Sequence, residues 1–154
     1  MAATDAGGIA AGQHRLPVRV YYEDTDAVGV VYHANYLRYA ERARTEMMRC
    51  LGLEHGALRA RLGLAFTVRR CVVDYLAPAR LDDRLEVRTR LLRVGGASLD
   101  LEQRITRGDR VLVQMEVRLA LISAGLRAAR LPRALRDALA PLRPDPASPG
   151  PARA

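Results

Sequence analysis

Between Tyr21 and Tyr36 the chain reads Tyr-Tyr-Glu-Asp-Thr-Asp-Ala-Val-Gly-Val-Val-Tyr-His-Ala-Asn-Tyr, with the carboxylates of Asp24 and Asp26 two residues apart and the imidazole of His33 shortly after. Three chemistries use carboxylates so spaced. An EF-hand would count Asp24 and Asp26 as its first and third ligands, but Val28 then stands at the fifth position and Asn35 at the twelfth, so calcium lacks its oxygens. The string Asp24-Thr-Asp-Ala-Val also matches the Asp-x-Asp-x-Val nucleophile motif of dehalogenase-type phosphatases. That motif follows a buried parallel strand and needs further basic and acidic motifs; an alternating antiparallel pattern, the absence of Lys and the small size argue against it. The third chemistry puts one carboxylate at the lip of a helix N-terminus, where free N–H groups and the helix dipole polarise a bound carbonyl and stabilise the oxyanion formed on attack. The carboxylate attacks the carbonyl itself or deprotonates a water, and no Ser or Cys nucleophile is required.

The elements that must hold these groups follow from periodicity. Val18 to Tyr22 alternates weakly and reads as a short strand ended by the Glu23-Asp-Thr-Asp turn. From Asn35 to Leu51 the apolar residues Tyr36, Tyr39, Ala40, Ala43, Met47 and Leu51 recur at helical spacing, and Gly52 suits the residue after the helix. Small Ala40 and Ala43 allow close approach to a sheet. Glu54 to Leu62 predicts a short second helical segment before Gly63. The period then becomes two: a strand over Phe66 to Leu76, then alternating runs over Leu85 to Leu91, Leu99 to Thr106 and Val111 to Leu121. Gly95-Gly-Ala-Ser and Arg107-Gly-Asp-Arg suit tight hairpins between them. Leu131 to Leu142, with Pro132 in its first turn, predicts a closing helix. One long helix with an antiparallel meander specifies an α+β protein, a helix wrapped by a five-stranded sheet: the hot-dog arrangement. Bare sheet edges predict edge-to-edge association.

Composition bounds the function. The 154 residues suffice for one core, and the apolar stretch from Leu119 to Leu126 is far short of the roughly 18 residues that span a bilayer, so no integral membrane segment is expected. Residues 1–15, rich in Ala and Gly, predict a disordered leader, 16–142 the folded domain, and 143–154, with four prolines, a disordered tail. Met1 to Gly8 has neither a basic nor an apolar signal region, so a cytoplasmic address is expected. Cys50 and Cys71 form no Cys-x-x-Cys and are expected as buried free thiols. The net charge is +8, and all 25 basic residues are Arg. Half the excess lies in residues 126–154, with six Arg against two acids, and the rest is interspersed, so no nucleic-acid partner is expected. His14, His33 and His55 do not assemble a metal set, and neither a metal nor any other cofactor is expected.

Several separated motifs then agree in order and spacing. Arg19-Val-Tyr-Tyr-Glu-Asp-Thr-Asp, Val31-Tyr-His-Ala, Glu41-Arg-Ala-Arg-Thr-Glu-Met and Tyr75-Leu-Ala-Pro-Ala-Arg-Leu-Asp-Asp resemble the hot-dog acyl-CoA thioesterases of the 4-hydroxybenzoyl-CoA thioesterase type, and within them the YbgC branch encoded with the Tol–Pal envelope system. The resemblance runs from about Pro17 to Pro132. It implies a homodimer or homotetramer acting on acyl-CoA, with Asp26 as the catalytic carboxylate, nucleophile or general base, and Asp24 in support. It places the His33 N–H against the thioester carbonyl; the His33 side chain positions water, or protonates the leaving thiolate, or is a hydrogen-bonded structural group. Gly29 serves a backbone conformation or close substrate approach. Tyr32, Tyr36 and Tyr39 line an acyl slot, or Tyr36 and Tyr39 are core. Benzoyl-type relatives carry basic residues at the hairpin where this chain has Gly95 to Ser98, and only Arg93 stands near it. Arg93 and Ser98 are therefore the candidate contacts to the thiol carrier, which is CoA or the phosphopantetheine arm of an acyl carrier protein. Arg69 and Arg70, in an otherwise apolar strand, fit ion pairs, a subunit interface or ligand binding equally. A non-catalytic acyl-thioester or carrier-protein binding module is the rival reading.

Overall fold

A computed structural model describes residues 7–143, so the expectations for 1–6 and 144–154 fall outside the described residues. Period-two alternation produces six strands: β1 (Gly8–Ala10), β2 (Gln13–Arg19), β3 (Leu64–Tyr75), β4 (Arg84–Val94), β5 (Ser98–Arg107) and β6 (Arg110–Ser123). They form one antiparallel sheet in the order β1-β2-β4-β5-β6-β3. The long helix α1 (His33–Cys50) lies against β1, β2, β4 and β5, and α2 (His55–Leu62) joins α1 to β3. A last short helix, α3 (Arg133–Ala138), is followed by a 3-10 turn over Ala140–Leu142.

The α+β class stands, but with six strands where five were expected. The difference comes from the leader, which is ordered from Gly8: β2 starts at Gln13 and ends at Arg19, and β1 pairs with it. His14, Leu16 and Val18 are buried there while Arg15, Pro17 and Arg19 face out. Pro17 hides this alternation. It is tolerated because the Val20 N–H donates to the Asp83 carbonyl at 3.0 Å, so by period two residue 17 points away from β4, and β1 reaches only Arg15 on that side. His14 accordingly lies in the core rather than in a leader.

Ala40 and Ala43 are fully buried under α1, as are Met47 and, across the sheet, Leu99, Leu101 and Ile105. One polar group sits among them. The Gln103 side-chain amide donates to the Ala40 carbonyl at 3.0 Å and the Thr89 hydroxyl at 3.0 Å, and its oxygen accepts from Arg44 at 2.8 Å, so the buried amide is satisfied. At the other end Pro132 caps α3 rather than lying within it, and the helix stops early. Pro141 has no N–H to give the Asp137 carbonyl, so the chain tightens into the 3-10 turn that buries Leu142. Both cysteines are exposed, not buried: Cys50 ends α1 and Cys71 lies on the edge strand β3.

Candidate active site

Asp26 opens a tight turn. Thr25 and Val31 bridge, the Asp26 N–H donates to the Val30 carbonyl at 2.9 Å, and the Gly29 N–H donates to the Asp26 carbonyl at 3.0 Å. Gly29 adopts φ +88°, which L-residues avoid, and nothing lies within 4 Å of where its Cβ would be. Within the chain its role is therefore conformational. The Asp26 Oδ1 accepts from the Val28 N–H at 2.9 Å and the Val30 N–H at 3.4 Å, which orients the exposed carboxylate. Oδ2 has no partner among the described residues.

Asp24 holds this turn to the helix. Its carbonyl accepts from the Tyr32 N–H at 2.9 Å and from the Asn35 Nδ2 at 2.8 Å, while its Oδ2 accepts from the Tyr21 N–H at 2.9 Å. One carbonyl oxygen thus joins the loop bearing Asp26 to the first turn of α1. That helix starts at His33, two residues before the expected Asn35, with Tyr32 as an N-cap that offers no side-chain bond. The N–H groups of His33 and Ala34 have no acceptor among the described residues, so the start of α1 presents free donors and the positive end of its dipole.

Aromatic rings surround this point. The exposed His33 ring lies 4.5 Å from that of Tyr32 and edge-on to that of Tyr75 at 6.2 Å, centroid to centroid. The Tyr75 hydroxyl donates to the His33 carbonyl at 3.1 Å. Tyr36 and Tyr39 are core residues, 3% and 2% exposed, whereas Tyr32 is half-exposed. Burial pushes both buried phenols up; Tyr36 accepts from the Ala79 N–H at 2.9 Å, and Tyr39 lies beside the Asp24 carboxylate, which raises it further although their geometry falls short of a regular hydrogen bond.

The wall behind the turn is the Ala79–Asp83 segment. Val31 donates to the Ala79 carbonyl, and Val30 bridges Arg80. Burial would raise the Asp83 carboxyl, but the Arg80 N–H at 2.9 Å and the Arg107 guanidinium at 2.7 Å hold it below the usual carboxylate range.

Asp26, Gly29, Tyr32 and His33 therefore come together, and Arg93 and Ser98 do not. Arg84 and Arg93 stand near opposite ends of β4, so at about 3.3 Å per residue the Arg93–Ser98 hairpin lies roughly 30 Å along the sheet from the Asp26 end. The cause is register. β4 leaves the Asp83 turn at the Asp26 end and reaches its hairpin only after crossing the whole sheet. Arg69 lies at a bulge in β3, and it and Arg70 are exposed. His55 starts α2, away from His33. Two residues at the site escaped notice in the sequence: Asn35, whose signal was a buried polar residue near a helix start, where Asn otherwise weakens the helix, and Tyr75, which closes the strand facing that start.

A family model of the thioesterase-like superfamily matches residues 20–139. The chain belongs to this superfamily. Within it, the chain is 54% identical over 99 residues to the acyl-CoA thioester hydrolase YbgC of Escherichia coli O6:H1, covering 64% of this chain and 73% of that protein. It is 47% identical over 110 residues to the acyl-CoA thioesterase YbgC of Haemophilus influenzae, covering 71% and 81%. It is a YbgC-type thioester hydrolase. The crystal structure of a probable thioesterase from Bartonella henselae superposes with a TM-score of 0.75 at 39% identity, covering 78% of this chain and 99% of that one. A 1,4-dihydroxy-2-naphthoyl-CoA thioesterase from Synechocystis shares the fold, with a TM-score of 0.77 at 21% identity over 83% and 96% of the two chains. Among the described residues of this thioesterase, no helix is long and apolar enough to cross a membrane.

Proposed function

We propose that the protein hydrolyses acyl-CoA to the free acid and CoA-SH, with Asp26 as the reacting carboxylate and the first turn of α1 as the oxyanion donor. The observation that carries this is the pairing of a carboxylate having one unengaged oxygen with unpartnered N–H groups at a helix start, both tied to the Asp24 carbonyl. The thioester carbonyl oxygen lies against the His33 and Ala34 N–H groups, where charge develops as the carbonyl carbon is attacked; such a donor is worth about 10²–10³ in rate. Asp26 then follows one of two courses. As nucleophile its Oδ2 bonds to the carbonyl carbon, the C–S bond breaks to expel the thiolate, and water opens the resulting anhydride. As general base it takes a proton from water, whose oxygen bonds to the carbon, and the thiolate leaves and is reprotonated. A single turnover in oxygen-18 water separates them: only the anhydride course can put label into the Asp26 carboxylate.

The 12-residue edge strand β3 supports a homodimer or homotetramer, since among the described residues its outer edge is unpaired and Val68, Val72 and Tyr75 are exposed along it. Antiparallel pairing of β3 with a second copy would bring the far end of the partner's sheet toward the Asp26 end of the first. By that route Arg93 and Ser98 would serve a substrate bound on the neighbouring protomer.

The test is free-thiol release across an acyl-CoA panel, from short aliphatic to long-chain and aromatic, comparing wild type with Asp26→Asn. A loss of at least about 10²-fold in a folded variant is expected. Wild-type turnover in Asp26→Asn, or acyl-CoA binding without turnover in the wild type, would overturn the reading.

A further inference from the structure

Tyr39 carries a hydroxyl that its packing does not need. The side chain enters the core from α1, 2% exposed and edge-on to Tyr36 at 6.3 Å between ring centroids, and a phenylalanine would fill the same space. Its hydroxyl oxygen is buried with no hydrogen-bond partner among the described residues, which costs stability because water has been given up and nothing replaces it. Tyr36, one turn earlier, shows the ordinary arrangement, its hydroxyl accepting from the Ala79 N–H at 2.9 Å. Beside the Tyr39 hydroxyl lies the Asp24 carboxylate, close to it but not aligned with it. The Tyr21 N–H holds Asp24 Oδ2 at 2.9 Å, whereas Oδ1 has no donor among the described residues. An unused donor and an unused charged acceptor are therefore neighbours.

Only one of the two is free to move. Tyr39 is fixed on an 18-residue helix whose Ala40 and Ala43 are fully buried against the sheet. Asp24 is half-buried in a segment whose Tyr21, Tyr22, Asp26 and Val28 are exposed. A small shift of that segment toward α1 aligns the pair, and it carries Asp26, two residues on, with it. We propose that Tyr39 is a positioning residue: its hydroxyl donates to Asp24 Oδ1 when the Asp26 turn closes on the start of α1, and this bond sets Asp26 against the oxyanion donors. A hydrogen bond to a charged acceptor out of water is among the stronger ones a neutral donor can make. In the open position the orphaned hydroxyl is a cost, and closing relieves it, so the free protein samples the closed turn. The inference rests on Asp26 as the reacting carboxylate, but its stability and exchange readouts do not.

The test compares the full chain with Tyr39→Phe, Asp24→Ala and the double variant. Free-thiol release, on the acyl-CoA that the wild type turns over fastest, is expected to show kcat about tenfold lower in Tyr39→Phe with KM little changed. Thermal unfolding should give an equal or higher Tm for Tyr39→Phe, since the variant loses a buried orphan, and amide exchange should show a loss of protection at the Tyr21 and Tyr32 N–H groups that Asp24 holds. Asp24→Ala keeps both ties to the Asp24 carbonyl but has no carboxylate to meet the phenol, so adding Tyr39→Phe to it should lower kcat by less than about twofold more. An unaltered kcat in Tyr39→Phe, a Tm that falls along with kcat, or full additivity in the double variant overturns the proposal. Should the wild type release no thiol from any acyl-CoA, the thioesterase reading fails, and exchange decides this one: unchanged protection at Tyr21 and Tyr32 in Tyr39→Phe overturns it, and lost protection at an undiminished Tm supports the link from Tyr39 through Asp24 to the turn.

Discussion

Asn35 offers the sharpest test of how the site is held. Its Nδ2 donates at 2.8 Å to the Asp24 carbonyl, it is 6% exposed, and its Oδ1 accepts from Arg38 at 3.4 Å. In Asn35→Ala the Asp24 carbonyl keeps the Tyr32 N–H, so no acceptor is orphaned and the loss is about 1 kcal/mol, or about 2–4 °C in Tm. The catalytic cost is larger. With one of its two ties gone, the Asp26 loop shifts against the helix start, and a displacement near 1 Å costs about 10²-fold in kcat with a smaller change in KM. Asn35→Asp sets two effects against each other. A carboxylate in the first turn of a helix gains about 0.3–1 kcal/mol from the dipole, but here it is buried and faces the Asp24 carbonyl with no proton to give, a cost of about 1–3 kcal/mol. The second term wins, and Asn35→Asp is expected to be less stable than Asn35→Ala at neutral pH. Thermal unfolding and free-thiol kinetics on the three proteins decide it. A more stable Asn35→Asp, or an unaltered kcat in Asn35→Ala, would refute the claim that this amide clamps the loop.

Other perturbations have defined signs. In Asp83→Asn the ion pair to Arg107 is lost; because the folded carboxyl is depressed, its stabilisation is present at neutral pH and fades as pH falls below about 4, so the Tm gap between wild type and variant should close in acid. Gln103→Leu leaves an Arg44 donor and the buried Thr89 hydroxyl without their partner, while the Ala40 carbonyl keeps its helical N–H, and should cost about 1–3 kcal/mol by denaturant unfolding. Gly29→Ala, strained only by φ +88°, should cost about 1 kcal/mol and lower kcat more than KM as the Asp26 turn relaxes. Val72→Glu on the free edge of β3 should shift the protein toward monomer by light scattering.

Much of this architecture is legible residue by residue. The helix over Tyr36 to Met47 and the meander from Leu85 to Leu121 carry clean periods, and both appear within a few residues of expectation. That Asp26, Gly29 and His33 lie close together is legible because the turn and helix start that unite them are continuous in sequence. What depends on distant partners is not. β1 and β2 are hidden by an Ala- and Gly-rich composition and by Pro17, whose acceptability depends on how far β1 extends. The exposure of Cys71 depends on which strand lies at the sheet edge, and the separation of Arg93 from Asp26 on the direction in which β4 runs. None of these is written in a local pattern.

The strand order has a consequence for how the chain reaches this state. β4, β5 and β6 are joined by short hairpins and can pair as soon as they are made, whereas β2 joins Gln13 to Arg90 and β3 joins Leu64 to Ser123. Closing those long loops costs entropy that only a preformed central meander can offset. The segment with Asp26 and the start of α1 is strung between β2 and β3, so it takes its final shape after both have docked on opposite sides of that meander. Changes at the Asp26 turn and the start of α1 should therefore leave the folding rate nearly untouched and act through the rate of unfolding, while changes at the β4–β5 hairpin should slow folding itself.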